Sequence, residues 1–388
     1  MPRGTAKARP GEAALSHREK LRHLREILFA NVVMAGEIPS PTFGEGRLVR
    51  FLRDRFTEAG LANISLDQGG NVAGVLPGRE GGRSLLLVAH LDKIWAEGED
   101  HTVTVGAGSM TGRGLADNSL GVAVLASLPL ILEELGVEFD ADLVLLGATR
   151  SFGRGDLGGM RFFLENAEGA FAAALCLEGI ELGRLSHSCP GMARGEIAYT
   201  SPGRGDDGGV AEALAETAAA LVRIDRREAP GGRVLIGSIE AGSGHGVPPR
   251  SGLLRFEARA REAGRVARIE REIARVVAAA SEATGVPGAL DVFARRLPGA
   301  LATGHPLVRQ ARAVHAALGI ESRAEPSVSE LALLLGRGIP SLTLGITRGE
   351  NRHTPEETIQ LEPIFDGLAQ IVSMLQFLDG LREGAPAS

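Results

Sequence analysis

The chain has 388 residues, 44% of them hydrophobic and 23% charged, with a formal net charge of −6. The length points to two domains or to one large domain with an insertion. The mild acidity argues against a nucleic-acid partner, and only two cysteines, Cys176 and Cys189, leave no disulfide framework.

Residues 1–12 are small and polar and are expected to be disordered, as are the last few from Gly384. Met1 to Lys20 lacks an apolar h-region and no apolar run reaches membrane-spanning length. A cytoplasmic protein without a membrane partner is therefore expected. Leu15 to Met34 carries apolar residues at helical spacing, and Gly44 to Ala59 reads as a second helix. Asn63–Leu66, Val72–Leu76 and Ser84–Ala89 are short apolar or alternating runs between Gly-rich turns, hence strands. A long apolar helix follows over Asn118–Leu135, then a strand at Leu143–Ala148, a helix opening at Met160 and a strand at Phe171–Leu177. This alternation predicts an α/β fold with a sheet covered on both faces by helices.

The middle of the chain has another order. Strand Gly195–Thr200, helix Gly209–Val222, strands Val234–Glu240 and Leu253–Ala260, helix Ala263–Thr284 and strand Ala289–Ala294 make β-α-β-β-α-β. That is the order of a ferredoxin-like α+β sandwich, here an inserted domain at 191–296. The α/β domain then comprises 13–190 and 297–388. It resumes with helix Pro306–Leu318, a short helix Ser329–Leu335, strand Ser341–Ile346 and a closing helix Glu362–Leu378.

Four residues of metal-ligand type stand at comparable places. His90 follows a strand in Ala-His-Leu-Asp, Asp117 precedes the long apolar helix, Glu178 follows the strand Phe171–Leu177, and His353 follows Ser341–Ile346 by a short loop. Open α/β sheets gather ligands at the carboxyl ends of strands, and a His, Asp and Glu set suits zinc. Each residue taken singly also has an ordinary reading: a hydrogen-bonded strand-end His, or, for Asp117, a helix N-cap.

Together these segments resemble the zinc-dependent exopeptidase and deacylase family that includes peptidase T, acetylornithine deacetylase, succinyl-diaminopimelate desuccinylase and glutamate carboxypeptidase. The likeness runs from Ile38-Pro-Ser-Pro to the end. Ala-His90-Leu-Asp92 resembles a His-x-Asp motif, which implies a metal ligand at His90 with Asp92 buttressing it. Gly-Arg-Gly-Leu-Ala-Asp117-Asn resembles the segment whose Asp bridges two metals. Glu178 falls at a carboxylate ligand, and His353-Thr-Pro-Glu-Glu resembles the last ligand motif. The resemblance further implies that the inserted sandwich is a lid and dimerisation domain, giving a homodimer through 191–296. The substrate would be a small peptide or N-acyl amino acid.

The chain departs from that pattern where the family has two adjacent glutamates, a general base and a metal ligand. Here Ser151 and Phe152 take those places, inside a frame of Gly153, Gly155, Asp156, Leu157 and Met160 that otherwise fits. Gly205 and Gly246 stand where the family's lid has a His and an Asn, while Arg259 fits an arginine that grips a substrate carboxylate. Zinc at about one ion per chain is expected, through His90, Asp117 and Glu178, with a second site at His353 weak or empty. Asp156 and Glu330 are candidates to replace the base. Three functions stay open: weak hydrolysis at a degenerate site, a non-catalytic binding relative, and a metal-free structural subunit.

Overall fold

In the computed structural model, which describes residues 10–203 and 209–381, the expected first helix is two helices. Helix α1 spans Pro10–Leu21 and α2 spans Arg25–Glu37, with a tight turn at Arg22–Leu24 between them. Leu21, Leu28 and Ala35 are all buried. Their seven-residue spacing runs through the break, so periodicity alone does not show it. The expected disorder over 1–12 is corrected in part, since α1 already starts at Pro10; residues 1–9 and 382–388 lie outside the described residues.

Helix α3 (Gly46–Glu58) leads into β1 (Ala62–Leu66), β2 (Val72–Leu76) and β3 (Ser84–His90). Helix α4 is Leu120–Leu135, shorter at its start than the sequence suggests, because Asp117 and Asn118 leave helical geometry. The stretch Leu115–Leu135 is long and apolar enough to cross a membrane by composition, against the expectation above; nearly all of it is buried in the core. β4 (Asp142–Ala148), α5 (Gly158–Asn166), β5 (Phe171–Ile180) and β6 (Arg184–Ser186) complete this segment.

The chain divides into two compact units, one formed by residues up to Ser188 and from Ala300, the other by Cys189–Gly299. The second contains β7 (Gly191–Thr200), α6 (Gly209–Glu228), β8 (Gly232–Ala241), β9 (Ser251–Ala260), α7 (Ala263–Thr284) and β10 (Gly288–Arg296). Its sheet runs β8-β9-β7-β10, antiparallel throughout, which is the ferredoxin-like arrangement. Val266, Ile269, Ile273, Val277 and Ala280 form the buried stripe of α7 against that sheet.

The first unit resumes with α8 (Pro306–Leu318), β11 (Arg323–Ala324), α9 (Leu331–Gly336), β12 (Ser341–Thr347) and α10 (Ile364–Asp379). Its mixed eight-stranded sheet has the order β1-β2-β4-β3-β5-β12-β6-β11. The central strands β4, β3, β5 and β12 are mutually parallel. They read as near-continuous apolar runs because helices cover both faces.

One buried cation ties the loop after β3 to α2. Lys93 is almost wholly buried, and its Nζ donates to the carbonyls of Ala35, Gly36 and Ile38 at 2.9, 2.7 and 2.9 Å. Burial pushes its pKa down to about 7, while the end of α2 supplies an acceptor for each of the three ammonium protons.

Candidate metal site

The site lies at the carboxyl ends of the parallel strands of the first unit. His90 is the last residue of β3, and Glu178 lies within β5, which runs three residues further than the sequence suggests. Asp117 reaches them from the irregular turn before α4. Asn118 fixes that turn: its Nδ2 donates to the Leu177 carbonyl at 2.9 Å, and its Oδ1 accepts from Gly179 N at 3.0 Å, bracketing Glu178. Only glycine fits at 179, because a Cβ there would lie 2.3 Å from the Ala116 carbonyl oxygen.

One donor atom each of His90, Asp117 and Glu178 can be chosen so that all lie within 4.8 Å of one another, and all three residues are buried. His90 Nδ1 donates to the Asp92 carbonyl at 3.1 Å, and Nε2 faces Asp117 Oδ1 at 3.0 Å. Since a carbonyl can only accept, Nδ1 carries hydrogen, and Nε2 is the atom a metal would take in exchange for its own proton. No hydrogen bond closes on Asp117 Oδ1 or Glu178 Oε2, although both are buried. Burial and then the neighbouring Asp117 charge push the Glu178 pKa up. Asp117 goes the other way: burial is outweighed by His353, His90 and Arg352, which hold it well below the ordinary range. Burial alone would lower His90, but the Asp117 and Asp92 carboxylates beside it hold it well above its ordinary value. Two crowded buried carboxylates with bare oxygens, plus one imidazole nitrogen, fit a divalent ion of the zinc type. Asp117 caps no helix.

The second oxygen of Asp117 has other partners. Oδ2 accepts from His353 Nε2 at 2.7 Å and from Arg352 Nε and Nη2 at 2.9 and 2.6 Å. His353 is thus brought to Asp117, but it is half exposed and stands outside the three-residue cluster. Arg352 gave no signal in the sequence beyond its place beside His353.

Glu357 was within reach of sequence reading, as the second Glu of His-Thr-Pro-Glu-Glu. Its Oε1 accepts from Ala116 N and Asp117 N at 2.5 and 3.0 Å, and its Oε2 from His353 N at 3.0 Å. It therefore fastens two sides of the site together. Glu357→Gln turns one of these acceptors into an amide facing an N–H. Zinc affinity measured by chelator competition is expected to fall by about 10–100-fold, the usual cost of losing an outer partner of a ligand.

The Asp92 carboxylate stands beside His90, whose Nδ1 is 3.7 Å from Asp92 Oδ1. Its Oδ2 accepts from Thr42 Oγ1, Ser151 N and Phe152 N, each at 2.8 Å. That pins the loop at residues 151 and 152. The Phe152 ring lies edge-on to the His90 ring, centroids 5.0 Å apart, so residue 152 points toward the cluster without offering a ligand. Ser151 Oγ donates to Glu330 Oε1 at 2.6 Å, and both residues are buried. Asp156, the other candidate base, pairs instead with Arg161 at 2.8 Å. In the second unit Arg259 forms an ion pair with Glu257. Gly246 is exposed, with φ at 73°, and Gly205 lies outside the described residues.

No protein-family model matches the chain, and no curated protein matches it in sequence. Solved structures do. A tripeptidase from Staphylococcus aureus superposes with a TM-score of 0.73 at 15% identity, covering 92% of this chain and 99% of that one. The di-peptidase Dug1p from Saccharomyces cerevisiae gives 0.78 at 13% identity, over 95% and 99%. A dinuclear metal binding peptidase of the M20 family from Bacillus subtilis gives 0.65 at 16% identity, over 93% and 100%. The chain is similar to each over nearly its whole length, and its fold is that of these peptidases.

Proposed function

We propose that the protein is a metal-dependent amide hydrolase acting on a small peptide or an N-acyl amino acid, with one zinc ion held by His90, Asp117 and Glu178. The observation that carries this reading is the buried three-donor cluster, with hydrogen-bond-free oxygens on Asp117 and Glu178. An ion bound there would supply Lewis-acid activation of water and of the scissile carbonyl. Glu330 is the proton acceptor in this reading. Its carboxylate reaches Ser151 from the start of α9, replacing from across the site a group that the local loop lacks. Asp92 holds Ser151 and Phe152 in place by their backbone N–H groups.

The same reading places the protein in the cytoplasm as a homodimer through the second unit. Its outer strand β8 carries exposed Leu235 and Ile239, which supports an edge contact. A non-catalytic, ligand-binding role is the second reading. It is favoured by Phe152, whose ring rests against His90 where hydrolysis would be served by a carboxylate.

Protein purified without chelator is expected to carry about one zinc per chain and to turn over members of a panel of dipeptides and N-acyl amino acids. Bound zinc without turnover on any of them selects the binding reading. Metal-free protein that takes up no zinc on titration overturns both and leaves a structural subunit.

A further inference from the structure

Asp117 divides its two oxygens between two different cation environments. Oδ1 belongs to the cluster with His90 and Glu178, whereas Oδ2 lies under the guanidinium of Arg352. The same Arg352 Nη2 is 3.6 Å from Glu178 Oε2, so one side chain spans both carboxylates. We propose that Arg352 is a built-in substitute for a second metal ion: its fixed charge occupies the far side of Asp117 and limits the site to one divalent cation. The inference rests on the one-metal reading above.

A second ion on this side would need Asp117 Oδ2, His353 Nε2 and a third ligand. Oδ2 already accepts two Arg352 N–H groups and one from His353. The residue aimed at the cluster that could complete the set is Phe152, which has no donor atom. Arginine suits the substitution better than lysine would. Its guanidinium stays charged across the physiological pH range, its planar fork presents adjacent N–H groups to one carboxylate, and it sheds water more readily than an ammonium. Only about a third of the Arg352 side chain is exposed, at 34%. Arg352 is therefore a positioning residue. Its two N–H groups hold Asp117 by Oδ2, which leaves Oδ1 turned toward His90 Nε2.

The test is zinc stoichiometry of the full chain, by titration against a chromophoric chelator, with folding monitored by circular dichroism. Wild type is expected to saturate at one ion. Phe152→Glu alone should also stop at one, because Arg352 still occupies Oδ2. Phe152→Glu with Arg352→Ala should reach two, and Phe152→Glu with Arg352→Gln, which keeps more of the side-chain volume, serves if the alanine variant does not fold. Two ions in Phe152→Glu alone overturn the proposal, as does a single ion in the folded double variants. No ion in wild type overturns the one-metal reading instead, so the two failures are separable.

Discussion

Glu330→Gln is expected to fold, to keep its zinc and to lose about 10²–10⁴-fold in kcat, the usual contribution of a positioned general base. The substitution is nearly isosteric, and the amide oxygen can still accept the Ser151 hydroxyl that now lies 2.6 Å from Glu330 Oε1. The local structure is thus preserved, and what disappears is the capacity to take a proton. Glu330→Asp should recover part of the loss, since it keeps the carboxylate but draws it back by one methylene. Steady-state kinetics on the best substrate of the panel, with metal content measured on the same sample, checks this. A kcat within a few-fold of wild type would remove Glu330 from the chemistry.

His90→Ala should remove bound zinc altogether and bring hydrolysis to background. His90 supplies the nitrogen of the cluster; Asp117 and Glu178 alone would leave a pair of carboxylates that hold zinc poorly. The expected loss of affinity exceeds the ~10–100-fold typical of an outer partner. Removing the imidazole also takes a cation from two buried carboxylates and an aromatic contact from Phe152. Some destabilisation is therefore expected, and metal content is read only on the folded fraction. Zinc retained at wild-type affinity would show that the ligand set is wrong.

These two positions alter what a restoration experiment should look like. Judged by sequence, glutamates at both 151 and 152 would recreate the missing pair. In the structure, residue 151 faces Glu330, so Ser151→Glu would set two buried carboxylates against each other and raise the pKa of one. Residue 152 faces the cluster, and the group opposing a second ion there is Arg352. The informative pair of changes is therefore 152 with 352.

Much of the architecture was legible in the chain because it is written in local pattern. Apolar runs of strand length gave β3, β4, β5 and β12, and the β-α-β-β-α-β order gave the ferredoxin-like sheet. The order of His90, Asp117, Glu178 and His353 and their resemblance to the family's motifs carried the metal reading, since each residue taken singly has an ordinary use. Tertiary structure alone decided the rest. Ser151 and Glu330 are 179 positions apart, and Asp117 and Arg352 are 235 apart. Nothing in the spacing of either pair sets which carboxylate or cation meets which. Those meetings follow from neighbouring strands: the parallel pairing of β5 with β3 and β12 brings the ends of distant segments to one edge. There, burial makes a polar partner valuable, a guanidinium for Asp117 and a hydroxyl for Glu330.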